Sequence, residues 1–202
     1  MAKDIFDIDT IDSVVRKLIR EKGVVDLRDV EIESFSIPYD YSVREIFLPK
    51  INYDEEICKQ IKKISKIASK NGFDHKKVSV VLFEGIRNAH QHGNKLNSDK
   101  SIVVAYKIIP GKYDIAIIDQ GGVLDPEFVS YIQRFKQGLH KEKPMSFYDF
   151  SEREKGENNL GRGIYLINSY VDSIYFYKSD SGGLVMHVEK SKCITKDKII
   201  KD

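Results

Sequence analysis

The chain has 202 residues, 41% hydrophobic and 32% charged, the composition of a globular domain large enough to bury a core without staples. Lys plus Arg is 33 and Asp plus Glu is 31, so the formal net charge of +2 creates no whole-molecule field favouring nucleic acid or an anionic membrane. The sequence holds no apolar run of the ~18 residues a spanning helix needs, and MAKDIFDIDT does not have the form of a signal peptide.

Cys58 and Cys193 lie far apart and outside any metal-type spacing. Free thiols in a reducing cytoplasm are therefore expected. The five histidines are not grouped in sequence as ligands; His90 and His92, two apart, fall on different faces of a helix.

In chain order, residues 8–22 read as an amphipathic helix stopped by Gly23. Val24 to Ile37 alternates loosely and suggests one or two strands, closed by Pro38. Arg44 to Leu48 is a short strand. Asp54 to Ser69 is a second helix striped by Ile57, Ile61, Ile64 and Ile67, ending at Asn71-Gly72. Asp74 caps a third helix that runs to about His92, with Val78, Val81, Leu82, Gly85, Ile86 and Ala89 as its apolar stripe. Ser101 to Ile109 and Lys112 to Asp119 form a hairpin across Pro110-Gly111. A connection of about 40 residues follows, with a short helix expected over 126–135. Its basic residues (Arg134, Lys136, Lys141, Lys143, Arg153, Lys155) suit a lid over phosphates, and its aromatic residues argue against permanent disorder. A helix then runs from Gly161-Arg162-Gly163 to about Val171, and a last hairpin pairs Ser173–Tyr177 with Leu184–Glu189. That order predicts helices on one face of a largely antiparallel sheet.

Three places carry candidate chemistry. Glu84, Asn88 and His92, spaced i, i+4, i+8, form one ridge of the third helix beside its apolar stripe. A carboxylate there suits a general base, and an amide oxygen is a hard ligand for Mg2+. Asp119 ends an apolar strand and precedes Gly121 and Gly122; the carboxylate can accept from an exocyclic amine while the glycines admit a planar ligand. Gly161, Arg162 and Gly163 open an apolar helix, where free backbone N–H groups face an anion. Taken singly, these are also a solvent-facing ridge, an ordinary Asp-Gly turn and a tight helix entry.

In combination and order, the three places resemble the boxes of the histidine-kinase-like (GHKL) ATPases. Glu84–Asn94 is similar to the N-box, Asp119–Gly122 to the G1 box and 159–167 to the G2 box. Glu-x-x-x-Asn-Ala-x-x-His-Gly-Asn and Gly-Arg-Gly-Ile-Tyr-Leu-Ile are most similar to the anti-sigma-factor serine kinases. The resemblance covers about residues 42–190. It leaves 1–41 as an N-terminal extension of helix and short strands and 191–202 as a C-terminal tail. It implies an α+β fold, a two-layer sandwich of the Bergerat type, with a mixed, mostly antiparallel sheet covered by helices on one face.

The resemblance also implies roles. Glu84 would be the general base, Asn88 the Mg2+ ligand, Asp119 the acceptor from the adenine amine, and Gly121 and Gly122 the backbone beside the base. Gly161, Arg162 and Gly163 would hold the helix start against the phosphates of ATP. The implied activity is transfer of the terminal phosphate to a partner regulatory protein, of the sigma-factor or anti-sigma-antagonist type. A cytoplasmic homodimer with no nucleic-acid or membrane partner goes with it. Two positions depart from the family pattern. Val123 stands where Asp-x-Gly-x-Gly has its second glycine, so the loop is expected to hinge at Gly122. Leu184 stands where a Thr usually follows the hairpin glycines. Both departures favour an alternative, a non-catalytic module that regulates by sequestering a partner.

Overall fold

A computed structural model of the chain describes residues 25–26, 33–124 and 163–192. The described strands are β1 (Val25–Asp26), β2 (Ser34–Phe35), β3 (Ser42–Phe47), β4 (Ser101–Ile109), β5 (Lys112–Ile118), β6 (Val123–Leu124), β7 (Ser173–Ser179) and β8 (Leu184–Ser191). The helices are α1 (Tyr53–Lys70), α2 (His75–Asn88) and α3 (Gly163–Tyr170), with a π-helical turn over Ala89–Gly93. The expected helices at 8–22 and 126–135, and the basic connection, lie outside the described residues.

Six strands form one sheet in the order β2-β7-β8-β5-β4-β3. Every neighbouring pair is antiparallel except β2 and β7, which run parallel. The fold is therefore the α+β two-layer sandwich, with its mixed and mostly antiparallel sheet. The region before residue 42 extends this sheet through β2, while β1 pairs with β6 in a separate two-stranded ribbon. No helix among the described residues is long and apolar enough to cross a membrane.

The core lies between the helices and one face of the sheet. Ile57, Ile61, Ile64 and Ala68 of α1 recur at helical spacing and are buried, as are Val78, Val81, Leu82 and Ile86 of α2. They meet Ile102, Val104, Tyr113, Ile115, Ile117 and Val188, which alternate along the central strands and point the same way. Full burial of one such Ile or Leu is worth about 1.5–3 kcal/mol over exposure. Arg44 ties β3 to α1 by donating to the Gln60 carbonyl at 3.2 Å and to Gln60 Oε1 at 2.6 Å.

The helix ends follow local chemistry. Asp74 caps α2 by accepting from the N–H groups of Lys76 (2.8 Å) and Lys77 (3.3 Å). Gly72, at φ +84°, takes the left-handed conformation that turns the chain out of α1. Gly85 leaves room for two side-chain ends of the sheet: a Cβ there would stand 2.4 Å from Ile117 Cδ1 and 2.6 Å from Met186 Cε, which would have to move aside. Its absence lets α2 lie directly on β5 and β8.

Candidate active site

Strand β5 delivers Asp119 to the edge of the core. Residues 113–118 are buried on both faces of the sheet, so the carboxyl group at their end has little freedom to move. Asp119 is 4% exposed. Its Oδ1 accepts from Gly121 N (2.8 Å) and Leu184 N (3.1 Å), and its own N–H donates to the Leu184 carbonyl at 3.0 Å. Leu184 thus binds Asp119 through its backbone, the hydroxyl of a Thr being absent. Burial pushes the Asp119 carboxyl up to about 6, against the pull of these two backbone donors and of Lys100 and Lys95.

Glycines close the shell around this carboxylate. A Cβ on Gly93 would stand 2.2 Å from Asp119 Oδ2, and one on Gly183 would stand 1.7 Å from the Asp119 carbonyl oxygen. A Cβ on Gly121 would stand 2.1 Å from the Gly93 carbonyl oxygen. A side chain at Gly121 or Gly183 would force backbone apart, and one at Gly93 would push the Asp119 carboxylate out of place. Gly122 sits at φ +72°, so the loop does turn at Gly122, and Val123 follows as extended backbone in β6. Gly182, at φ +87°, borders open space on the same side.

Helix α2 brings up the second group. Glu84 and Asn88 lie one turn apart on the face that meets α3. A Cβ on Gly163 would stand 2.7 Å from Glu84 Oε2 and 3.4 Å from Asn88 Nδ2. Gly163 therefore lets the first residue of α3 reach both side chains. Glu84 is 8% exposed and pairs through Oε2 with Arg87 Nη2 at 2.5 Å. Burial raises its pKa above the ordinary value, and the Arg87 guanidinium works in the opposite direction. Arg87 is itself seated over the Phe83 ring, 5.3 Å from its centroid.

The ridge expected from i, i+4, i+8 spacing stops at Asn88. The next five residues form the π-helical turn, in which Asn94 N donates to the Ala89 carbonyl at 2.7 Å. The wider turn moves His92 off the line of Glu84 and Asn88 and leaves it exposed. His90 is buried instead, with Nε2 3.0 Å from the Pro49 carbonyl and its ring edge-on to Tyr53.

Asn94, Gly93, Gly183 and Arg87 complete the arrangement and were not assigned from sequence. Asn94 is 1% exposed. It donates to the Ser101 carbonyl at 2.9 Å and accepts from Gln120 N at 2.8 Å, pinning the end of the π turn to the loop after β5. In sequence Gly93 and Asn94 only close the Glu84–Asn94 motif and carry no role of their own. The structure brings together Glu84, Asn88 and Gly163, and, beside the π turn, Asp119, Gly121 and Gly122. Gly161 and Arg162 lie outside the described residues.

No family model matches the chain. It is similar to the serine-protein kinase RsbW of Listeria monocytogenes serovar 1/2a, with 25% identity over 126 residues. These cover 61% of this chain and 73% of the relative. The serine-protein kinase RsbW of Listeria innocua serovar 6a matches at the same identity and coverage. Both are kinases by name, and the likeness agrees with the one carried by the three boxes.

Proposed function

We propose that this protein binds ATP with Mg2+ between α2 and the sheet and acts as a cytoplasmic protein serine/threonine kinase on a partner regulatory protein. The observation that carries the reading is Glu84 and Asn88 side by side against Gly163 on one flank, with Asp119 sealed in glycines beside the π turn. The residues fit the nucleotide chemically. Asp119 offers a buried acceptor for an adenine amine. Asn88 offers an amide oxygen suited to Mg2+. When bound, ATP supplies the phosphoryl group, and Mg2+ neutralises phosphate charge.

Glu84 then has one task, to take the proton of an attacking Ser or Thr hydroxyl. Burial suits it by raising its basicity. Its pairing with Arg87 keeps the carboxylate ionised and oriented, and the side chain must turn an oxygen toward the incoming hydroxyl. Gly161 and Arg162, with Gly163, would set the start of α3 toward the phosphates. A homodimer and a partner of the sigma-factor or anti-sigma-antagonist type belong to the same reading, supported by the likeness to serine-protein kinases.

A second reading, a GHKL module that binds a partner without catalysis, is favoured by three observations. Arg87 occupies Glu84, Leu184 brings no hydroxyl to Asp119, and Val123 lies in a strand. Phosphate transfer from labelled ATP to candidate partners separates the two. Glu84→Gln is expected to cut transfer by about 10²–10⁴-fold while leaving nucleotide affinity within a few-fold. Asn88→Ala is expected to remove the Mg2+ dependence of binding. Nucleotide binding without transfer, indifferent to Glu84→Gln, would leave the sequestering module as the function.

A further inference from the structure

The face of the sheet turned away from the helices carries a second cluster of ionisable groups. Asp114 of β5 stands directly opposite Glu189 of β8 in the antiparallel register. His187, two residues before Glu189, projects from the same face. One ligand-type atom from each of the three lies within 4.8 Å of the other two. This is the face opposite the active site, since Met186 and Val188, which alternate with His187 and Glu189, pack into the helix-side core.

Two features show that the cluster is not internally satisfied. Asp114 and His187 are each 7% exposed, yet Asp114 Oδ1 and both ring nitrogens of His187 lack a hydrogen-bond partner among the described residues. A buried polar atom in that state costs stability. Like charges directly opposite on a sheet are also unfavourable. Lys112 offers one counter-charge, its Nζ 3.4 Å from Asp114 Oδ1 and 4.0 Å from Glu189 Oε1, on a side chain 46% exposed. One solvated ammonium faces two carboxylates and gives the imidazole nothing.

We propose that Asp114, His187 and Glu189 form a binding site for one divalent transition-metal ion, separate from the nucleotide site. One imidazole nitrogen with two carboxylates is a donor set for zinc and its first-row neighbours, whereas Mg2+ and Ca2+ favour all-oxygen sets. Phe35, Tyr175 and Tyr177 pack their rings around His187, with centroids 5.4–6.2 Å away, and hold the imidazole in place. Three protein donors leave a coordination position for water or a further ligand. The ion would clip β5 to β8, the two central strands, and so couple metal supply to the stability of the sheet.

The test uses the full chain without a histidine tag, stripped by a chelator and titrated with zinc chloride in the absence of nucleotide. One equivalent should bind, and the thermal midpoint should rise with zinc. His187→Phe, which keeps an aromatic ring among aromatic neighbours, and Asp114→Asn should each weaken binding by at least about 10-fold. Lys112→Ala, a surface change that removes the competing cation, should tighten it. Cobalt(II) in place of zinc should give d–d absorption bands that His187→Phe abolishes. The proposal is overturned if the stripped wild type takes up no zinc. It is equally overturned if His187→Phe or Asp114→Asn binds as well as wild type, or if Lys112→Ala binds more weakly.

Discussion

Asp119 combines burial with an ionisable group, and its pH behaviour follows. Its pKa stands at about 6 in the folded protein against an ordinary 3.8. The folded chain therefore holds a proton that the unfolded chain releases between those values. Stability from this group is greatest at low pH and falls as pH rises through the window, by roughly 3 kcal/mol if nothing compensates. Binding an amine donor has the opposite preference, because only the ionised carboxylate is purely an acceptor. Nucleotide affinity is thus expected to fall as pH drops below about 6, relative to Asp119→Asn measured in parallel. Titration calorimetry across pH 5–8 reads the difference; identical pH profiles for the two proteins would remove Asp119 from the binding site. Asp119, Glu84 and Asn88 were legible in sequence because each stands at a fixed spacing from glycine or from its neighbours. Arg87 was not, since a cation one turn from a Glu is ordinary on any helix surface. What distinguishes it here is that Glu84 is buried.

At the scale of elements, α1 and α2 follow directly from their isoleucine and valine stripes, and Asp74 and Gly72 mark their ends. The π turn after Asn88 carries no comparable signal. It is held by contacts from afar, chiefly Asn94 reaching Ser101 and Gln120. Asn94→Ala would leave the Gln120 N–H and the Ser101 carbonyl without this partner. A loss of about 1–3 kcal/mol in urea denaturation is expected, with a weaker nucleotide site because the Gly121-Gly122 loop loses its anchor. An unchanged unfolding midpoint would mean that the π turn is held by other contacts. Strands β1 and β2 have two residues each, too few for a period to register. Their pairing, with β6 and with β7, is a matter of where the chain returns.

For the whole molecule, the layer arrangement sets the function proposed. α2 is the shared wall: one side packs on β5 and β8 through Gly85, and the Glu84 and Asn88 flank meets Gly163 at the start of α3. A ligand held by Asp119 and by the Glu84 and Asn88 flank would bind only the folded state. Saturating Mg-ATP at 100 times its dissociation constant should therefore add about 2.7 kcal/mol of stability, visible as a raised thermal midpoint. No shift at millimolar Mg-ATP would favour the module that works without nucleotide. The chain by itself determined the two-layer class and the described main helices and hairpins, and it singled out the three boxes as candidates, because these depend on local spacing, caps and turn residues. Tertiary structure alone decided three things: the parallel docking of β2 on β7, the seal of Gly93, Gly121 and Gly183 around Asp119, and the meeting of Asp114 with His187 and Glu189. Each depends on strand register between distant segments, and register is set by the packing of a whole face, which no local window of sequence contains.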